Sequence, residues 1–263
     1  MLSFFIICLS VGALVGFLAG LFGIGGGLIV VPALVYLLPM AGVPEAQLMA
    51  TALGTSFATI VITGFSSAQR HHKLGNILWP AVKILAPTIM LATFVSGLFI
   101  GNLPKEISGK LFACLVVYLA IKMILSIKPA KADKQLTTTS SLIGGILIGI
   151  ASSMAGIGGG GFIVPFLNSR GVDMKKAIGS SAFCGMLLGL SGMLSFMLGG
   201  WHLQNMPQWS LGYIYLPAVL GITITSFFTS KLGATVTGRL PVPILKRCFA
   251  LLLIVIAIDM FLD

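Results

Sequence analysis

Apolar residues run in long blocks along this chain, and polar residues collect in the short gaps between them. The blocks extend from Phe4 to Phe22, Leu48 to Ala68, Ile77 to Ile100, Leu111 to Leu125, Ile143 to Ala155, Ala177 to Leu198, Leu211 to Phe228 and Cys248 to Met260. Most approach the roughly 20 residues that a helix needs to cross a hydrocarbon core about 30 Å thick. The pattern predicts an all-α membrane protein. The longest polar stretch is the linker from Ile127 to Ser141, so no soluble domain is expected. The first block lacks a basic leader and a small-residue cleavage site, and its apolar run continues through residue 38. It reads as a span rather than a signal peptide.

Two blocks are broken in the same way. Gly-Ile-Gly-Gly-Gly occurs as Gly23, Ile24, Gly25, Gly26, Gly27 and again as Gly156, Ile157, Gly158, Gly159, Gly160, with Pro32 and Pro165 following at equal distance. Each glycine weakens a helix interior by about 1 kcal/mol relative to alanine. Irregular backbone is tolerated inside a bilayer only where it is buried in protein or lines a cavity. Paired breaks in the two halves of a transporter are the best sequence pointer to a binding site. Close helix crossing of the small-xxx-small kind is the plainer use of glycine, but three glycines in a row exceed what a crossing requires. The duplication extends further: Gly54-Thr55-Ser56 matches Gly179-Ser180-Ser181, Pro87 falls near Pro217, and Leu103-Pro104 near Leu240-Pro241. Residues 1–127 read as a first repeat, 128–140 as a linker and 141–263 as a second repeat.

Loop charges set the topology. If every block crossed, basic loops would lie on both faces, against the tendency of Lys and Arg to stay on the cytoplasmic side. If each glycine-broken segment instead turns at the glycines and returns, the second half is inverted. Arg70, Lys73, Lys128, Lys131, Lys134, Arg170, Lys175, Lys176, Lys231, Arg239, Lys246 and Arg247 then share one face, against Lys105 and Lys110 on the other. The eight residues between Gly161 and Arg170 make only about 12 Å of helix, too short to span. The expected fold is two inverted-topology repeats, each a glycine-broken re-entrant helical hairpin followed by three transmembrane helices. Both termini would lie outside, with the linker 128–140 in the cytoplasm.

Composition fits a membrane protein: 57% of residues are hydrophobic and 8% charged, with a mean hydropathy of +1.08. The net charge of +10 then reflects topology rather than nucleic-acid binding. Cys8, Cys114, Cys184 and Cys248 sit singly in apolar blocks without metal-ligand spacing and read as buried packing thiols. No metal or cofactor is expected, and no acid–base constellation points to an enzyme. Lys83 and Lys122 are close enough to the cytoplasmic face to snorkel, Asp259 to reach water outside, and His202 beside Trp201 reads as interfacial.

The breaks carry the candidate chemistry. A half-helix starting at the glycines points unpartnered N–H groups and about half a positive charge toward the bilayer interior. Without Cβ atoms a ligand can approach that backbone, so two such ends suit a small anion. Thr55, Ser56, Ser180 and Ser181 hold matching positions in the next span, near mid-depth by count. They either donate to the anion or bond helix carbonyls in close packing. Arg70, His71, His72 and Lys73 form a basic cluster that is either a topogenic anchor or an anion-attracting vestibule.

The paired G-x-G-G-G segments each followed by V-P, the G-T-S and G-S-S triplets, and Gly75-Asn76 after a basic residue resemble the TauE/SafE sulfite-exporter family, over residues 10–262. The resemblance implies a bacterial inner-membrane transporter exporting sulfite or an organosulfonate such as sulfoacetate. It implicates Gly23, Gly25, Gly26, Gly27 and Pro32, then Gly156, Gly158, Gly159, Gly160 and Pro165, with the hydroxyls at 55–56 and 180–181. The expected partners are the anion and the bilayer, with a homodimer as one candidate assembly. Uptake of a sulfur compound or other small anion is the rival within transport; a membrane scaffold or enzyme is the rival outside it. Cation transport is disfavoured by the lack of ligand clusters within the spans.

Overall fold

The fold is described from a computed structural model, over residues 2–22, 26–125 and 136–236. Gly23, Gly25, the linker lysines Lys128, Lys131 and Lys134, the basic Arg239, Lys246 and Arg247, Leu240-Pro241, Cys248, Asp259 and the last expected span lie outside the described residues, as does the side chain of Lys122.

The apolar blocks fold as helices: α1 (Leu2–Phe22), α2 (Gly27–Leu37), two 3-10 turns, α3 (Leu48–Lys73), α4 (Trp79–Ile100), α5 (Lys105–Leu125), α6 (Thr138–Ala155), α7 (Gly160–Asn168), α8 (Met174–Gly199) and α9 (Leu216–Val236). Six of the described helices are long and apolar enough to cross a membrane. The chain is a multi-pass helical membrane protein. Beyond each glycine break the helix is short, with 11 residues in α2 and nine in α7. The arms before the breaks are not short: α1 has 21 residues and α6 has 18.

Local chemistry fixes several ends. Thr137 and Ser140 form a reciprocal capping box at the start of α6. The Asp173 carboxylate accepts from the Lys175 N–H at the start of α8. The apolar block ending at Ala68 continues as helix to Lys73, so Arg70, His71, His72 and Lys73 form the last turn of α3, where basic side chains complement the helix dipole. The block beginning at Leu211 does not start as helix. It opens on a small antiparallel hairpin, β1 (Ser210–Leu211) and β2 (Ile214–Tyr215), turned at Gly212 with φ 56°, and α9 follows directly.

Glycine governs the helix packing. Lipid tails are as apolar as leucine, so helices associate in a membrane through close van der Waals contact and hydrogen bonds, which small residues permit. α3 and α8 cross antiparallel at the centre: Gly192 lies on Phe57, Gly189 on Ile60 and Gly64 on Met186. α1 runs beside α9 in the same direction, with Gly12 on Ile222, Gly16 on Ser226 and Gly20 on Ser230. α6 runs beside α4 likewise, with Gly145 on Thr88 and Gly149 on Ala92. One turn further the Ser96 and Ser153 hydroxyls meet at 2.7 Å. Leu91, Phe99, Leu147, Phe228 and Leu232 face outward, as side chains in contact with lipid do. Cys8 and Cys184 are buried packing thiols, but Cys114 is exposed on the outside of α5, because its neighbours Phe112, Ala113 and Val116 take the inner face.

Candidate functional site

Gly26 caps α2 and Gly159 caps α7, both in the left-handed region, with φ 83° and 74°, and neither helix has a side-chain cap. Only glycine adopts that conformation without strain, so the motif is needed for the chain to enter the half-helix. The first bonds into the Gly26 carbonyl come from the N–H groups of Ile29 and Val30; those into Gly159 come from Phe162 and Ile163. Gly27, Leu28, Gly160 and Gly161 are therefore left with N–H groups that have no intrahelical acceptor. Pro32 and Pro165 each occupy the sixth position of their half-helix.

The two breaks touch. A Cβ on Gly27 would collide with the Gly156 carbonyl and lie 2.9 Å from Ile157 Cα. Ser56 joins the same point, donating its hydroxyl to the Gly156 carbonyl at 2.9 Å. A hydroxyl of one half is thus bonded to the glycine break of the other.

The remaining hydroxyls make a reciprocal pattern. Thr55 accepts from the Tyr215 N–H at 3.0 Å while Gly54 packs on the Tyr213 carbonyl. Ser180 accepts from the Leu78 N–H at 2.8 Å while Gly179 packs on the Asn76 carbonyl. Tyr215 precedes α9 and Leu78 is the N-cap of α4, so each hydroxyl satisfies an N–H at the entry of a helix in the opposite half. Further along, Ser66 donates to the Phe227 carbonyl and Ser191 to that of Met90, both at 2.5 Å. One shift, 125 residues, carries Gly54, Thr55 and Ser66 to Gly179, Ser180 and Ser191; another, 137, carries Asn76, Leu78 and Met90 to Tyr213, Tyr215 and Phe227. The roles of Ser66, Ser191, Asn76 and Tyr213 do not follow from the sequence, although the first shift marks the two serines. Ser181 is fully buried and engaged. Thr55 is the eighth of 26 residues in α3 and Ser180 the seventh of 26 in α8. Both hydroxyls therefore lie in the first third of their helices.

Arg70 donates through Nε to the Thr235 hydroxyl at 3.1 Å, tying α3 to α9. His71 is fully buried, with Nε2 3.3 Å from the Gly20 carbonyl and Nδ1 3.5 Å from the Asn76 amide. A carbonyl only accepts, so the ring proton lies on Nε2. Between α1, α3 and α8, the residues Ala19, Thr63, Gly64, Ser67, Gly158, Ala182 and Gly185 surround a constriction with no room for a water molecule. Among the described residues no cluster of His, Cys, Asp or Glu is suited to a metal.

The chain matches the family described as sulfite exporter TauE/SafE over residues 8–260. It is 72% identical over 263 residues to a probable membrane transporter protein of Haemophilus influenzae, covering 100% of both chains. A probable membrane transporter protein of Methanocaldococcus jannaschii is 30% identical over 232 residues, 88% of this chain and 85% of that one. One from Xylella fastidiosa is 30% identical over 267 residues, 96% and 93% of the two chains. No solved structure matches. A match over nearly the whole chain, on a bundle with six candidate spans, means that the protein belongs to the TauE/SafE sulfite exporter family of membrane transporters.

Proposed function

We propose that the protein exports a small sulfur-containing anion, sulfite or an organosulfonate such as sulfoacetate, across the bacterial inner membrane by alternating access of two inverted halves. The observation that carries this reading is the contact between the two glycine breaks, where Gly27 at the uncapped start of α2 packs on Gly156 and Ile157, just ahead of the uncapped start of α7. An uncapped helix start in a water-poor interior favours a negative charge, and the glycines let it approach the N–H groups. No cation needs to be buried to hold it.

The inverted arrangement is supported by packing. α3 and α8 carry the matching triplets and cross antiparallel, as equivalent helices do about an axis lying in the membrane plane. Helices in parallel repeats would keep one direction. The arms α1 and α6 are full-length, so each hairpin reads as a long inward helix, a glycine turn and a half-length return. Lys105, one of two basic residues assigned to the outer face, pairs with Glu45 at 2.7 Å, which sharpens the charge bias of the twelve on the other. Both termini then lie outside and the linker 128–140 inside.

In the mechanism, Thr55–Tyr215 and Ser180–Leu78 are the closures at the outer and inner ends. Rocking of the halves opens one while the other holds, passing the anion from the basic face at Arg70 and Lys73 to the opposite side. A membrane potential negative inside favours outward movement of each negative charge by about 2.3 kcal/mol per 100 mV, so export proceeds without an obligatory coupling ion. The test is flux through the purified chain in liposomes, comparing sulfite, sulfoacetate, thiosulfate and sulfate under an imposed potential. Saturable flux of sulfite or sulfoacetate, accelerated when the potential drives anions outward, is expected. Absence of flux for all four defeats the reading.

A further inference from the structure

A groove of about 700 Å³ lies between α5, α6 and α7, and its lining includes no glycine of either break. Its walls are apolar: Leu115 and Tyr118 come from α5, Ile148 and Ala151 from α6, Phe162 and Pro165 from α7. Ile143 and Leu147, also in the lining, are exposed, so the groove opens where the protein meets lipid rather than into the packed core. Apolar walls left uncovered forfeit their dispersion contacts, and in a bilayer the apolar matter at hand is acyl chain.

One end of the groove is different, being lined by Ser140, Ser169 and Arg170. An interfacial arginine ordinarily extends toward water. Arg170 is instead turned back along α7, with its guanidinium over the Phe166 ring, 4.0 Å from the centroid, and Nε donating to the Ser140 hydroxyl at 3.1 Å. Gly144 permits this placement, because a Cβ there would collide with the Phe166 ring. Stacking and the Nε bond fix the guanidinium plane and leave both Nη amino groups without a partner among the described residues. Amines held in that way match the oxygens of a phosphate. The lining contains no acidic side chain to compete for them.

The spacing of the two ends fits one leaflet. On α6 the lining runs from Ser140 to Ala151, about 16 Å at 1.5 Å per residue. Half of a hydrocarbon core is about 15 Å deep. The other half of the chain has no such charged end: the 133-residue shift that superposes the two breaks sets Leu37 against Arg170 and Ile7 against Ser140.

We propose that this groove binds an anionic phospholipid of the inner leaflet, with its phosphate on Arg170 and an acyl chain laid between α5 and α6 against α7. The choice of leaflet rests on the inverted topology of the transporter reading, which puts Arg170 on the cytoplasmic face, where anionic headgroups collect. Phe162, Pro165 and Phe166 belong to α7, so the acyl chain braces the half-helix that follows the second break.

The test uses the delipidated full chain in detergent, with phosphatidylglycerol and phosphatidylcholine of identical acyl chains as probes. Mass spectrometry of the intact complex counts bound lipid, and melting gives the stabilisation that each lipid adds. Phosphatidylglycerol should bind more tightly and raise the melting temperature further. Arg170→Gln should weaken phosphatidylglycerol binding about fivefold or more, the worth of one cation beside an anionic headgroup, and leave phosphatidylcholine within about twofold. Arg170→Gln also loses its bond to Ser140, so the increment that lipid adds is compared, not the melting temperature itself. Ala151→Phe, which fills the apolar end and keeps the cation, should weaken both lipids. Should it fail to fold, Leu115→Trp on the α5 wall carries the same expectation. Lys176→Gln, which removes an exposed charge in the first turn of α8 outside the groove, should change neither. Equal losses in Lys176→Gln and Arg170→Gln would mean a general surface attraction and overturn the site. Displacement of bound phosphatidylglycerol by sulfoacetate, or a purified dimer that carries no lipid, overturns it too. A cysteine at position 172 that labels from outside overturns the inner leaflet. Binding is read without flux, so its failure leaves the transporter reading standing, and absence of flux leaves the lipid site standing.

Discussion

Thr55 and Ser180 show how one hydroxyl can hold two halves together. Each accepts from a backbone N–H at the start of a helix in the opposite half, where a buried donor has no intrahelical acceptor. Tyr215 is 2% exposed, so Thr55→Val would strand its N–H without water to replace the hydroxyl. A stranded buried donor costs about 1–3 kcal/mol. Thr55→Val and Ser180→Ala should therefore each lower the melting temperature in detergent, while Thr55→Ser stays close to wild type. Equal melting of Thr55→Val and wild type would mean that the contact is dispensable. The triplets are visible in the sequence as a repeat. Their partners are not, because Tyr215 and Leu78 enter through backbone N–H groups that nearly every residue possesses.

At the scale of elements, spacing within α1 decides its neighbour. Gly12, Gly16 and Gly20 recur every fourth residue and so share one helix face. That face meets α9 so closely that a Cβ at Gly16 would fall 2.5 Å from Ser226 Cα. Gly16→Ala should push α1 from α9 and destabilise the bundle by about 1–3 kcal/mol, as overpacking does. A Cβ at Gly109 in α5 would meet no atom within 4 Å, so Gly109→Ala should instead be neutral or stabilise by up to about 1 kcal/mol. Thermal melting of the two variants side by side checks the contrast; similar melting would remove the argument for close crossing. The short lengths of α2 and α7 follow from sequence, since glycine starts them, Pro39 and Gly42 follow the first, and the polar turn at Asn168–Arg170 stops the second. The full length of α1 and α6 does not, because an apolar run gives no mark of the depth at which it ends.

At the scale of the whole molecule, the inverted reading makes a prediction about sides. Single cysteines introduced at positions 130 and 172 of a background lacking the native cysteines should both label from the cytoplasmic side. One at position 205, between α8 and the hairpin, should label from outside. Labelling of 130 and 172 from opposite sides would rule out inversion, since the second half would then run parallel to the first. The charge count that motivates this is readable without any structure, because basic residues are retained on one face whatever the helices do between faces. The β1–β2 hairpin is not readable: the residues from Leu211 are apolar enough to continue a span, and only the contact of Gly54 with the Tyr213 carbonyl explains why they turn instead.

The sequence alone determined the solvent of this protein, the positions of its helices, the duplication and the two points where the backbone breaks. Those properties are local: hydropathy, glycine and proline act on the residues that carry them. Tertiary structure decided which groups are spoken for. It joined the Ser56 hydroxyl to the opposite break, bonded Thr55 and Ser180 to N–H groups of Tyr215 and Leu78, buried His71 against Gly20, and left Ser67 unpaired. A hydroxyl has the same sequence signature whether it is bonded or unpaired. Only the helices packed around it determine which.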